Sequence, residues 1–245
     1  MITVTGSINM DLVVRTPHIP QVGETVLAQD FRQNPGGKGA NQAVAAARLG
    51  SRVSFVGCLG TDSFGDALAE GLARDGIDIT HVRRTEQVSS GLALIQVDGQ
   101  GRNNIAVVPG ANYALTCRDI DAARPLYARS KAALFQLEIP LEVTRYALEA
   151  AKQAGCLTIL NPAPAQALPR ELLRWVDILA PNEVELSALT DMPCDTLEQV
   201  RAAAGALAAG GGCRLVVTLG ARGVFHMEEG VGVHYHARPV QAGDT

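Results

Sequence analysis

Short β-prone runs alternate along this chain with longer Ala- and Leu-rich segments of helical spacing, and few architectures accommodate that order. Residues 2–5 form a β-prone run closed by Gly6, and residues 11–15 resume in extended style before Pro17 and Pro20. Residues 39–49 have helical spacing with a stop at Gly50, and 53–56 read as a buried strand. That is one strand, helix, strand unit. The pattern returns with helices over 63–74, 141–154, 183–189 and 196–209, and strands over 132–137, 157–160, 175–179 and 214–219. An α/β fold follows, with a mostly parallel central sheet covered by helices on both faces.

Two regions break the alternation. Residues 24–31, and 91–97 with 103–108, carry strand patterning without helices between them, the second pair joined by Asp98-Gly99-Gln100-Gly101. They predict a small antiparallel flap, with lid strands from about 11–32 and 88–109 inserted in a single domain over 1–245. Such a flap serves as a decoration, a lid that shields a reaction from water, or a dimer surface.

Composition narrows the function. With 47% apolar residues in 245 the chain can bury one large core. Its net charge of −4 and lack of any dense Lys/Arg run argue against a nucleic-acid partner. The five cysteines are widely spaced with no C-x-x-C, which disfavours a disulfide framework or a zinc site. The start MITVTGSINM is not a secretory signal, and no apolar run reaches membrane-spanning length, so the expected compartment is the cytoplasm, with no membrane partner.

The densest glycine cluster, Pro35-Gly36-Gly37-Lys38-Gly39-Ala40-Asn41, precedes a helix and offers backbone N–H groups to a polar ligand. It is not a Walker loop, because Gly39 follows Lys38, nor a dinucleotide fingerprint, because Gln42 stands where a glycine is needed. Lys38 and Asn41 suit a hydroxylated ligand, although a close-packed helix start would also use such glycines. Asn9 and Asp11 follow the first strand, point to one side of an extended segment, and suit vicinal hydroxyls or an Asx turn. Asn182 and Glu185 open a helix, as a cap or as a site that orients metal-bound waters and phosphates. Thr218-Leu219-Gly220-Ala221-Arg222-Gly223 ends a buried strand, as a hairpin turn or as a loop a phosphate can approach. His234 and His236 alternate on an apparent strand over 233–240 but lack a third ligand nearby.

Taken in order, seven segments resemble the PfkB carbohydrate kinase family over essentially the whole chain: Gly-Ser-Ile-Asn-Met-Asp from Gly6, Gly-Gly-Lys-Gly-Ala-Asn-Gln-Ala from Gly36, Gln-Leu-Glu from Gln136, Asn-Pro-Ala-Pro-Ala from Asn161, Pro-Asn-Glu from Pro181, Thr-Leu-Gly-Ala-Arg-Gly from Thr218 and Ala-Gly-Asp-Thr from Ala242. The resemblance implies an ATP-dependent kinase that moves the γ-phosphoryl group onto a sugar hydroxyl, ribose first, to give ribose 5-phosphate. Deoxyribose, fructose, a keto-deoxy sugar acid or a nucleoside are the family's other substrates, and a catalytically inactive sugar-binding relative is the rival of a different class. It further implies that Asn9, Asp11, Gly37, Lys38, Gly39, Asn41 and Glu138 bind the sugar beneath the lid. Asn182, Thr218, Gly220, Arg222, Gly223 and Gly243 would contact ATP, Glu185 would place Mg²⁺ through water, and Asp244 would be the catalytic base. A monovalent cation, K⁺, and a homodimer formed through the β lid complete the expectation.

The chain departs from the family pattern at one place. Family members carry Asp-Thr-x-x-Ala-Gly-Asp where this chain has only Gln241 before Ala-Gly-Asp, and they continue with helices beyond. Residues are therefore expected to be missing just before Ala242 or Gly243 and after Thr245.

Overall fold

A computed structural model describes residues 1–239. The expected missing segment, Gly243 and Asp244 all lie outside the described residues. β1 (Ile2–Thr5) runs almost directly into β2 (Asn9–Arg15), and β3 (Asp30–Gly36) returns antiparallel to it before α1 (Lys38–Arg48). β4 (Val53–Gly60), α2 (Ser63–Arg74) and β5 (Asp78–Thr85) follow. β6 (Gly91–Val97) and β7 (Asn103–Val108) leave the main body, and a 3-10 turn at Gly110–Ala114 leads back to α3 (Cys117–Arg129). Then come β8 (Ala132–Phe135), α4 (Leu141–Gln153), β9 (Leu157–Leu160), α5 (Arg170–Leu173) and β10 (Ile178–Leu179). α6 (Glu183–Thr190), α7 (Leu197–Gly211), β11 (Arg214–Thr218), β12 (Val224–Glu228) and β13 (Val231–Tyr235) complete the order.

Nine strands form the main sheet in the order β13-β12-β11-β10-β9-β8-β1-β4-β5. It is parallel from β11 to β5, with β12 and β13 antiparallel at one end. β4 shows why the sheet needs cover on both faces, because all eight of its residues are buried. Phe55 and Leu59 join Val4, Ala43, Leu68 and Leu72 in one core, whereas Val56 and Cys58 belong to the core built with α3 and α4. The period of two along a strand divides its side chains between these cores, and each large apolar side chain so buried contributes roughly 1.5–3 kcal/mol. α4 supplies Val143, Ala147, Leu148 and Ala151, the stripe of an amphipathic helix.

A separate four-stranded sheet, β3-β2-β6-β7, forms the expected flap, named the lid below for its proposed role. Its hairpins β2–β3 and β6–β7 are antiparallel, but β2 and β6 pair in parallel. Both strands rise from the same edge of the main sheet, β2 from β1 and β6 from β5, so they must run the same way.

Several boundaries differ from the sequence reading. Residues 24–29 form no strand and are largely exposed; the strand begins at Asp30 and runs on through Pro35-Gly36, into the glycine cluster that precedes the helix. Proline is tolerated there because β3 is an edge strand. Only Ile178–Leu179 of the run 175–179 pairs as a strand. β5, α3 and β12 were not foreseen, and the strand expected over 233–240 is β13, Val231–Tyr235.

Candidate active site

β1 has β4 on one side and β8 on the other, so the chain order reverses there, and open α/β sheets gather ligands outside strand carboxyl ends at such a reversal. Ser7, Ile8 and Asn9, just past β1, are buried, and so are Gln136 and Leu137 just past β8. α1 begins hard against this corner. Gly37 has φ 91°, and a Cβ there would lie 2.7 Å from Asn9 N. A Cβ on Gly39 would lie 2.7 Å from Ser7 N and 2.8 Å from Ser7 O. The glycine cluster is thus required for packing, and the same packing delivers the first turn of α1 to the site.

Glu138 organises the corner. Its Oε2 accepts from Ser7 Oγ and, at 3.1 Å, from the Lys38 backbone N–H, while the Lys38 ammonium lies 3.9 Å from Oε1. Gln136 donates to Gln42 on α1 at 2.6 Å. Between this corner and the underside of the lid lies a cavity of about 400 Å³. Asn9, Asp11, Gly37, Lys38, Asn41 and Glu138 line it, with Ala93, Ile95, Ile105 and Val107 of the lid as an apolar roof. Gly39 alone of the expected sugar set does not reach the cavity, being buried behind the wall against Ser7.

Asp11 occupies the space a side chain at Gly36 would need. Burial pushes its carboxyl above the ordinary range, the nearby Glu138 charge adds to this, and Lys38 opposes it. Asn112 was missed by sequence reasoning although it also lines the cavity; the turn Pro109-Gly110-Ala111-Asn112 after an apolar strand was the available signal.

The residues expected to meet ATP gather further along the same edge. Asn182 and Thr218 sit side by side in an isolated parallel bridge, with the Thr218 N–H donating to Pro181 O at 2.9 Å. Glu185 and Asn182 form a capping box: Asn182 Oδ1 accepts from Glu185 N at 2.8 Å, and Glu185 Oε2 accepts from Asn182 N at 2.9 Å. Glu185 is buried and also accepts from Asn161 at 3.4 Å. Thr218 and Gly220 are exposed, and Gly223, with φ 101°, leaves no room for a Cβ against the Tyr235 carbonyl. Arg222 is occupied, pairing with Glu183 and donating to Asp195 O at 2.8 Å. The His234 and His236 rings lie 4.5 Å apart. Among the described residues no group of three or more His, Cys, Asp or Glu is placed to hold a metal ion.

A cavity walled by amide, carboxylate and ammonium groups under an apolar roof is suited to a small polyhydroxylated molecule. A second loop cluster on the same sheet edge, open to a phosphate-bearing ligand, makes the pair a sugar phosphotransferase. The chain belongs to the pfkB family of carbohydrate kinases, whose family pattern matches residues 1–245. It is 41% identical to a ribokinase of Haemophilus influenzae over 244 residues, all of this chain and 80% of that protein. It is 40% identical to a deoxyribokinase of Salmonella typhi over 245 residues, again all of this chain and 80% of the relative. Among solved structures, Arabidopsis thaliana ribokinase complexed with ribose and ATP superposes with a TM-score of 0.91 at 34% identity, covering 98% of this chain and 79% of that one.

Proposed function

We propose that the chain transfers the γ-phosphoryl group of ATP to D-ribose, giving ribose 5-phosphate. The cavity carries this reading: Asn9, Asp11, Lys38, Asn41 and Glu138 converge on a space of about 400 Å³, roofed by apolar side chains. Each sugar hydroxyl needs both a donor and an acceptor, and a wall mixing carboxylates with amide and ammonium groups supplies both. Gly37 gives the sugar close backbone approach; Gly39 acts from behind, by letting α1 pack on Ser7. The apolar lid excludes water that would otherwise compete for the phosphoryl group.

Asn182, Thr218 and Gly220 face the nucleotide, and Gly223 shapes their loop. Arg222 anchors this loop through Glu183 and Asp195, a supporting role in place of the direct contact expected from sequence. The donor set fits a hydrated divalent cation, since Glu185 is a buried carboxylate held by Asn161 and Asn182. Mg²⁺ held there through water would supply positive charge to offset that on the transferring phosphoryl group. Asp244 is the proposed base that accepts the hydroxyl proton as the new P–O bond forms, with backbone N–H groups at Gly243 as the anion hole. K⁺ activation, a homodimer built through the lid, and a cytoplasmic location belong to the same proposal. No helix among the described residues is long and apolar enough to cross a membrane.

The second reading, a kinase for 2-deoxyribose, is favoured by the 40% identity to a deoxyribokinase. A coupled assay of ADP release across a panel of pentoses and hexoses, with Mg²⁺ and with or without K⁺, separates the two. The highest kcat/KM is expected for ribose. Replacing Asp244 by Ala should abolish turnover while sparing sugar binding; a loss of sugar affinity equal to the loss in rate would remove Asp244 from the role of base.

A further inference from the structure

Asn112 sits in the 3-10 turn that follows the last lid strand, and it is 1% exposed. Its Oδ1 accepts from the Ile8 N–H at 2.9 Å, and its Nδ2 donates to the Ile8 carbonyl at 3.2 Å. The side chain therefore pairs with Ile8 as a neighbouring strand would. Because a backbone N–H can only donate and a carbonyl can only accept, these two bonds fix which end of the Asn112 amide is which. The same Nδ2 then donates to Asn9 Oδ1 at 2.7 Å.

We propose that Asn112 is a positioning residue that sets the polarity of Asn9 toward the sugar. With Asn9 Oδ1 committed to Asn112, the Asn9 Nδ2 is the end left for the cavity that Asn9 lines. Asn9 then presents a donor and Asp11, two residues on along β2, presents an acceptor, so neighbouring hydroxyls are read by lone pair at one and by proton at the other. A second observation supports the arrangement. Gly91, the cross-strand partner of Asn9, has no room for a side chain, because a Cβ there would collide with both Asn112 Nδ2 and Asn9 Oδ1. The bond also joins the exit of the lid, after β7, to its entry at Ile8, so the sugar contact is set where the lid meets the main sheet.

This inference rests on the sugar-binding reading of the cavity, and the test separates the two. D-ribose and ATP affinities are measured by calorimetry for the full chain, Asn112→Ala, Asn9→Ala, the double variant, Asn112→Asp and Gly91→Ala. Asn112→Ala is expected to weaken ribose binding about tenfold or more, as for a buried hydrogen bond left unmade, and to leave ATP affinity within about twofold. In the Asn9→Ala background the same substitution should cost less than about threefold, because the residue it orients is gone. Asn112→Asp should be weaker than Asn112→Ala, since a carboxylate faces the Asn9 oxygen and drives its amide to invert. Gly91→Ala should likewise lose ribose rather than ATP. Losses that multiply in the double variant, a change in ribose affinity below about threefold for Asn112→Ala, or equal losses for ribose and ATP would overturn the proposal while leaving the sugar site intact. Failure of the unaltered chain to bind either ribose or 2-deoxyribose would overturn the sugar-binding reading and this inference with it.

Discussion

Asp11 carries the sharpest conflict between folding and binding at the level of single residues. Its folded-state pKa is raised by burial and by Glu138, so the fold favours the protonated form. A carboxyl with that sign contributes stability below its folded pKa and loses it as pH rises through that value, so at neutral pH its ionised form burdens the free protein. Ionised Asp11 is nevertheless the acceptor proposed for a sugar hydroxyl. Asp11→Asn is accordingly expected to raise the thermal midpoint of the unliganded chain and to weaken ribose binding by roughly 10- to 100-fold, the usual worth of a charge-assisted hydrogen bond. Thermal melts and calorimetry check the pair of effects; a lowered midpoint would show that the carboxylate is not a burden. By the same sign, ribose affinity should fall on acidification at a higher pH than an ordinary carboxylate would give. The order Asn9-x-Asp11 and the glycines around Lys38 were legible in sequence because the period of a strand and the lack of a Cβ are local properties. Ser7 and Asn112 were not, because their partners lie far away in the chain: Asn112 meets Ile8 across 104 residues.

At the level of elements, α6 places two demands on one side chain. Glu185 closes a capping box with Asn182 and is also the proposed anchor for a hydrated Mg²⁺. Glutamine closes the same box, so Glu185→Gln is expected to hold stability within about 0.5 kcal/mol while reducing turnover about tenfold at subsaturating Mg²⁺. Urea denaturation and a Mg²⁺ titration of kcat distinguish the roles, and an unchanged Mg²⁺ dependence would leave Glu185 as a cap alone. The capping reading was available from Asn-x-x-Glu, but sequence could not say that Asn161 would also face the carboxylate. Most elements with a covered apolar face were legible, but α3 and β12 were not, although Ile120, Leu126 and Phe225 are buried. β5 was not, since an edge strand reading Asp-Ile-Thr-His-Val-Arg-Arg-Thr hides its pairing behind polar side chains. β3 was misplaced because Pro35-Gly36, read as part of the glycine cluster ahead of α1, is used here as the end of an edge strand.

Over the whole molecule, one sheet edge carries both candidate clusters, the cavity beside β1 and β8 proposed for the sugar and the loops beside β10 and β11 proposed for the nucleotide, with β9 between them. A fixed spacing suits in-line transfer, in which positioning supplies much of the rate. The lid is the part this scaffold does not complete. Four strands cannot bury two faces alone, and Phe31, Leu94, Ile105 and Val107 remain 54%, 46%, 50% and 49% exposed. Phe31 and Leu94 share one face and Ile105 and Val107 the other; exposed apolar surface of this kind marks an association site, and a second lid presents the matching surface by symmetry. The chain should therefore sediment as a dimer at micromolar concentration. Leu94 and Ile105 lie in different rows of the lid, Leu94 pairing with Ala106 and Ile105 with Ile95, so Leu94→Asp and Ile105→Asp probe its two faces separately. One of these substitutions should yield a monomer. If the buried face is the one that roofs the cavity, the Ile105 variant should lose both the dimer and ribose affinity, whereas loss of the dimer in the Leu94 variant alone should leave ribose affinity within about threefold. A chain that sediments as a monomer at every concentration up to roughly 100 micromolar, with ribose affinity intact, would show that the lid works without a partner.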